Sequence, residues 1–273
     1  MLCILCMLCM LCMYLCCSVN DVWLSTGSGI SNSYGWSWNI ISGSNYTGGS
    51  GDGSPVSYAA VNATNQVAWA GPGTTLCYSS YNNILFDFSG QDESRGQISM
   101  STDGGQHWNL TFNTNFSRRE DSLCITDPHS NSMLLLGGEH HGYPGSQNEV
   151  WFSPDAANTW IQLNNAPWQP RAGLTGTAIY SSQLGKTVVY ITGGMINELQ
   201  FGADTIGSND VWMSSDFGAS WTQLWANGSA PFYARSHARM TSTPSGVLIL
   251  TEGMYSDATN STVSIGNNSR HSI

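Results

Sequence analysis

The sequence predicts an all-β fold, a β-propeller of four-stranded antiparallel blades, and three observations point to it. The run Ser-x-Asp-x-Gly-x-x-Trp recurs along the chain. Apolar runs that end in glycine recur at a similar interval. The composition is poor in charge and rich in glycine and aromatic residues, which suits short strands and frequent turns better than amphipathic helices.

Only 10% of the 273 residues are charged, against 30 Gly, 11 Trp and 11 Tyr. The exposed faces of helices need Lys, Glu and Arg, yet the chain has a single lysine, Lys186. The formal charge is −10. No nucleic-acid partner is expected, because phosphate neutralisation needs clustered Lys and Arg.

Residues 1–18 form the first unit. Met1 to Cys17 are apolar without interruption and end at Cys16-Cys17-Ser18, a segment short for a membrane span and read as a secretory signal peptide. A secreted, extracellular chain is expected, with no membrane insertion after cleavage. Seven Asn-x-Ser/Thr sequons agree with that compartment: Asn45, Asn62, Asn109, Asn115, Asn227, Asn260 and Asn267. Six of the eight cysteines fall in the leader, leaving Cys77 and Cys124. An even pair in an oxidising compartment suggests one disulfide, with two buried free thiols as the alternative.

Residues 19–260 are expected to be the propeller, and 261–273 a tail or the start of a truncated blade. Apolar runs reach from Ile84 to Gly90, Met133 to Gly138, Val188 to Gly194 and Val247 to Gly253. After three of them come a loop, a second β-type run and an Asp-containing turn. The turns read Ser101-Thr-Asp103-Gly-Gly105-Gln-His-Trp108, Ser153-Pro-Asp155-Ala-Ala157-Asn-Thr-Trp160 and Ser214-Ser-Asp216-Phe-Gly218-Ala-Ser-Trp221. Two of the second runs are nearly identical, Asn148-Glu-Val-Trp151 and Asn209-Asp-Val-Trp212, and the mature chain opens with Asn20-Asp21-Val22-Trp23. Each unit thus reads as four strands: the first starts near an Arg and the second ends in Gly. The third carries the Asn-Asp-Val-Trp phrase and the fourth starts at the Trp of the turn. Four short strands in about 50 residues is the signature of a propeller blade. Within the turn, Asp and Ser bond nearby amides, Gly takes positive φ and Trp packs over the hairpin.

These turns resemble the Asp-boxes of sialidase-type propellers, the bacterial neuraminidase repeats. The glycine pairs at Gly138 and Gly194, followed by the Asn-Asp-Val-Trp phrase, also resemble kelch repeats. Together the resemblances cover roughly 20 to 253. They imply blade geometry, with the Asp-turn as a structural hairpin away from any active site. Two closures are open. The N-terminal strands three and four (Val22 to Ile41) could join the C-terminal strands one and two near 233–253 in a split blade of a four-bladed ring. Alternatively, Ser261 to Ile265 begins another third strand of a six- or seven-bladed ring, which the resembling families generally have.

Candidate ligand contacts lie on the face away from the Asp-turns: Arg119, Arg171 and Arg235 at successive first strands, with Glu139, His140, Tyr143 and Trp168 in neighbouring loops. The guanidiniums could converge on a carboxylate, as an arginine cluster does in the sialidases, or bond neighbouring blade backbone, as kelch-type arginines at this position do. Trp168 and Trp225 are candidate sugar-stacking platforms. Glu139-His140-His141 is read as a solvated loop rather than a metal site. No cofactor is expected, since no Gly-x-Ser-x-Gly, phosphate-loop or dinucleotide fingerprint occurs. Acids are present on the same face, but nothing in their spacing selects the pair a retaining glycosidase needs. The sequence therefore reads as a non-catalytic binding or adhesion module for carbohydrate or protein, with a divergent sialidase-like glycoside hydrolase as the alternative.

Overall fold

The computed structural model describes residues 22–26, 37–42, 73–88, 97–105, 107–111, 114–117, 119–140, 145–196, 206–243, 245–256, 262–264 and 271–272. All regular structure among them is antiparallel β. No helix occurs among the described residues, so none is long and apolar enough to cross a membrane.

An N-terminal hairpin pairs β1 (Val22–Thr26) with β2 (Ser37–Ser42). Three complete four-stranded meanders follow. The first is β3 (Thr75–Ser79), β4 (Ile84–Phe88), β5 (Ile98–Ser101) and β6 (Asn109–Thr111). The second is β7 (Leu123–Thr126), β8 (Met133–Leu136), β9 (Val150–Ser153) and β10 (Ile161–Gln162). The third interleaves two sheets. Short strands β11 (Arg171–Ala172), β14 (Met195–Ile196) and β15 (Ile206–Gly207) pair at one end. The main meander is β12 (Thr175–Ser181), β13 (Lys186–Thr192), β16 (Val211–Ser214) and β17 (Thr222–Trp225). A fourth unit repeats the scheme with β18 (Arg239–Ser242), β19 (Leu248–Thr251) and β22 (His271–Ser272), plus a hairpin of β20 (Met254–Ser256) and β21 (Thr262–Ser264).

The first strand of each unit lies against the first strand of the next: β3 on β7, β7 on β12, β12 on β18. The arrangement is consistent with the expected propeller, although no closed ring forms among the described residues. Two details of the closure differ from expectation. Among the described residues β1 pairs with β2, and the edge of β19 is taken by His271–Ser272, so the N-terminal hairpin does not extend the sheet of β18 and β19. Thr262–Ser264 does not begin a third strand. It folds back on β20, just as β15 folds back on β14 in the preceding unit.

Face-to-face stacking of the sheets explains the apolar runs, because a second strand sandwiched between two sheets is buried on both sides. All four residues of β8 are buried. Met133 and Leu135 pack with Phe86, Phe88 and Ile98 of the first unit, while Leu134 and Leu136 pack with Val189 and Ile191 of the third. A third cluster joins Val211 to Met240, Leu248 and Leu250. A disulfide between Cys77 of β3 and Cys124 of β7 ties the first two units across 47 residues.

One position breaks this pattern. Asp87 of β4 pairs with Leu76, as Leu135 pairs with Cys124, Ile191 with Gly176 and Leu250 with Met240. An acid thus occupies a slot filled elsewhere by fully buried aliphatics. Burial raises its carboxyl to about 7, because a low-dielectric surround penalises the charged form.

Replacing both cysteines with Ser should lower stability by about 2–4 kcal/mol. Urea unfolding should show this as a lower midpoint, and a reductant should shift the wild type but not the variant. Asp87 binds more protons folded than unfolded between about pH 4 and 7, so stability should fall as pH rises through that window, by up to roughly 4 kcal/mol. Urea midpoints at several pH values should show that decline, and Asp87→Asn should abolish it.

Candidate functional site

The end of the sheets where first strands begin is organised by one arginine in each of the second, third and fourth units. Arg119, Arg171 and Arg235 are 1–2% exposed. In each, Nε donates to the carbonyl two residues earlier, of Ser117, Gln169 or Tyr233. Nη1 donates to a carbonyl where the second strand ends, at Gly137, Gly193 or Glu252. Arg119 Nη2 then meets Glu149 at 2.7 Å. Arg171 grips both oxygens of Asp210, at 2.6 and 2.8 Å, the bidentate geometry peculiar to a guanidinium.

The repeated Asn-Asp/Glu-Val-Trp phrase supplies those acids, and each of its positions has a partner. Asn148 Nδ2 donates to the carbonyls of Ala166 and Trp168, and Asn209 Nδ2 to those of Ala230 and Phe232, holding the loop to the next unit. Val150 and Val211 enter the core. Trp151 and Trp212 donate their indole N–H to the same carboxylates the arginines hold, at 2.8 and 2.9 Å. Burial would raise the Glu149 and Asp210 carboxyls. The bonds from Trp, Arg and, for Asp210, Ser208 outweigh it and hold both below their usual range. Burial likewise lowers Arg119 against the opposing pull of Glu149.

Among the described residues, no such acid holds Arg235. Burial lowers its pKa with nothing to oppose it, and its buried Nη2 has no hydrogen-bond partner. The Glu252 carboxylate lies instead at 3.6 Å from Arg239.

Four equivalent stations, at Gly73 and two residues beyond each arginine, are linked head to tail. Asp121 N–H donates to Gly73 O, Gly173 N–H to Asp121 O, and His237 N–H to Gly173 O, at 2.8–2.9 Å. All four have left-handed backbone, with φ of 75°, 48°, 64° and 51° in chain order, a conformation open to Gly and tolerated by Asp and His. The His237 ring lies over Gly173, whose missing Cβ would stand 3.0 Å from it, and Nε2 reaches Asp121 at 3.4 Å.

The Asp-turns lie between third and fourth strands and share one network. Ser101, Ser153 and Ser214 hydroxyls donate to Asp103, Asp155 and Asp216 and accept from the N–H of Gly105, Ala157 and Gly218. Each aspartate also accepts the N–H of the residue four on, His107, Thr159 or Ser220. That N–H and the His107 ring hold Asp103 at about 2. For Asp155 and Asp216, partial burial pushes up, but bonds from Thr159 and Ser220 prevail and both stay low. Trp108 and Trp160 are 5% exposed, and Trp221 packs edge-on against Trp168.

The remaining candidates are dispersed. Trp168 is 4% exposed and packed against Trp212 and Trp221, so it is a core residue and not a stacking platform. Glu139 and His140 are half-buried, and Glu139 exchanges backbone bonds with Glu120. Tyr143 lies outside the described residues, as do Asn45, Asn62, Asn260 and Asn267. Asn109, Asn115 and Asn227 are exposed. The residues that sequence reasoning passed over are Asn148, Glu149, Asn209 and Asp210. Their signal was the repeated phrase itself, read there only as a strand marker.

Along the first strands, a cavity of about 270 Å³ opens between β3, β7 and β12. Among the described residues, no cluster of His, Cys, Asp or Glu could hold a metal ion.

No family model and no curated protein matches the chain. Among solved structures, the structure of YjhT superposes with a TM-score of 0.56 at 12% identity, over 87% of this chain and 72% of that one. At that identity the likeness concerns the fold alone.

Arg171→Ala strands Asp210 in the interior and should cost about 3–5 kcal/mol. Arg171→Lys should recover only part, since an ammonium cannot span both carboxylate oxygens and Gly193 O. Arg235→Ala, which strands no carboxylate, should cost less. Guanidinium unfolding of the three variants checks the order.

Proposed function

We propose that the chain is a secreted, N-glycosylated β-propeller of Asp-box and kelch-like repeats, acting as a non-catalytic binding module for a carbohydrate or a protein. The four-stranded antiparallel sheets, with the first strand of each lying against that of the next, support the propeller. The apolar leader, the sequons and the cysteine pair support secretion.

One observation carries the non-catalytic reading: the arginines that would have to bind a substrate carboxylate are 1–2% exposed, and two are held by the protein's own acids. A glycosidase of the sialidase kind needs exposed cationic hooks beside two placed catalytic groups. Here the hooks face inward. With charge at −10 and one lysine, anionic polymers are poor partners, and a neutral or amphipathic ligand suits the surface better.

Expressed in a secretory host, the chain should reach the medium and lose mass on treatment with an N-glycosidase. A glycan array read beside a fluorogenic sialoside assay should give binding without turnover. Turnover that Arg171→Ala abolishes, with the fold intact by circular dichroism, would overturn the reading in favour of the hydrolase.

A further inference from the structure

We propose that the cavity between β3, β7 and β12 is a recognition site for a neutral saccharide. This rests on the carbohydrate branch of the reading above and assigns it a place and a chemical class. The site runs along the first strands, from Leu76 on β3 and Cys124 on β7 to Gly176–Ala178 on β12.

The argument begins with strand edges. Each first strand is the edge of its sheet, and an edge carries backbone N–H and C=O groups that its own sheet leaves unpaired. β3, β7 and β12 bring three such edges around a cavity of about 270 Å³. Side chains alternate along a strand, so Leu76 and Tyr78 share the face of β3 turned away from Thr75, Cys77 and Ser79. The latter three are buried, whereas Leu76 is 50% and Tyr78 44% exposed. Leu76 and Tyr78 also line the cavity, so they bring adjacent apolar surface to it.

The lining decides what kind of contact. Tyr78 and Leu76 supply apolar surface, and Ser80, Thr126 and Thr177 supply hydroxyls. No lining residue is charged, in a chain whose net charge is −10. The nearby acid Asp127 is engaged by Ser130, Thr187 and the His129 N–H, so it offers the cavity little. A pyranose matches this set. Its C–H face lies on an aromatic ring while its hydroxyls exchange hydrogen bonds with serine, threonine and backbone groups.

Preorganisation favours the same ligand. Tyr78 Oη donates to Asn83 at 2.8 Å, which fixes the ring and lowers the entropy cost of binding. Thr126 Oγ1 donates to Tyr78 O, locking β7 to β3 beside the ring, and the Cys77–Cys124 bond joins the same strands. Two more exposed aromatics stand close by in sequence: Tyr81 follows Ser80, and Tyr180, stacked on His129 at 4.0 Å, is two residues beyond Ala178.

The test titrates the intact secreted protein with lactose, cellobiose and mannotriose, and with 3′-sialyllactose as the charged comparator, by calorimetry and saturation-transfer NMR. At least one neutral sugar should bind, the sialylated one no better. Tyr78→Ala, and Thr177→Trp, which fills the cavity, should each weaken that binding at least tenfold with the thermal midpoint unchanged. If a variant fails to fold, saturation transfer to the sugar from the tyrosine rings of the wild type decides in its place. Neutral-sugar binding that both folded variants preserve would overturn this site while leaving the binding-module reading intact. So would preference for the sialylated sugar. Failure of every saccharide, with a protein ligand captured instead, would overturn the saccharide and keep the module. Failure of all ligands would remove both.

Discussion

The arginine at the start of the second, third and fourth repeats is the joint on which the assembly of sheets depends. Its backbone belongs to one neighbour and its side chain to its own sheet. Arg171 N–H donates to Gln147 O and its carbonyl accepts from Gly138 N–H, both in the preceding unit. Its guanidinium meanwhile gathers Gln169, Gly193 and Asp210. Arg235 repeats the backbone half, with Ser208 O and Gly194 N–H. A buried charge with several oriented acceptors fixes register between sheets that apolar packing alone would leave free to slide, since packing is non-directional and a guanidinium is a rigid fork.

That joint also explains the paired glycines. A Cβ on Gly137 would stand 2.8 Å from Arg171 O, and one on Gly193 the same distance from Arg235 O. The next unit's backbone passes too close for any side chain, so the second strand must end in glycine. Sequence periodicity and close approach are therefore one fact. The interval between glycines is the amount of chain needed to complete a sheet and return to the axis.

Much of the fold was legible because its parts are local. The turn motif, the apolar runs and the phrase before each third strand all act within a few residues. Their strand order followed from pattern alone for the first three units. What was hidden is what depends on distance. The partnership of Arg119 with Glu149 spans 30 residues and that of Arg171 with Asp210 spans 39, so composition around either residue is silent about it. Trp168 sits in a connecting segment, which suggested solvent; two more indoles from the next unit bury it. The β20–β21 hairpin looked like a new strand because a fold-back of three residues has no periodicity of its own. The cavity escaped notice for the same reason: three separate strand edges line it.

The two ends of the first strands are thus unlike in kind. At the arginine end, amides and carbonyls of successive units satisfy one another through the stations at Gly73, Asp121, Gly173 and His237. Charge there is buried and paired at two of the three arginines. Four residues in left-handed backbone, two of them not glycine, are held in place by that linkage, and such strain persists only where the surround determines it. At the other end, cross-links come from side chains: Thr126 donates to Tyr78 O and Thr187 to the Asp127 carboxylate. One set of strands is therefore pinned by backbone bonds and buried charge where it begins and by side-chain hydroxyls where it ends, so losing an arginine and losing a threonine loosen different joints.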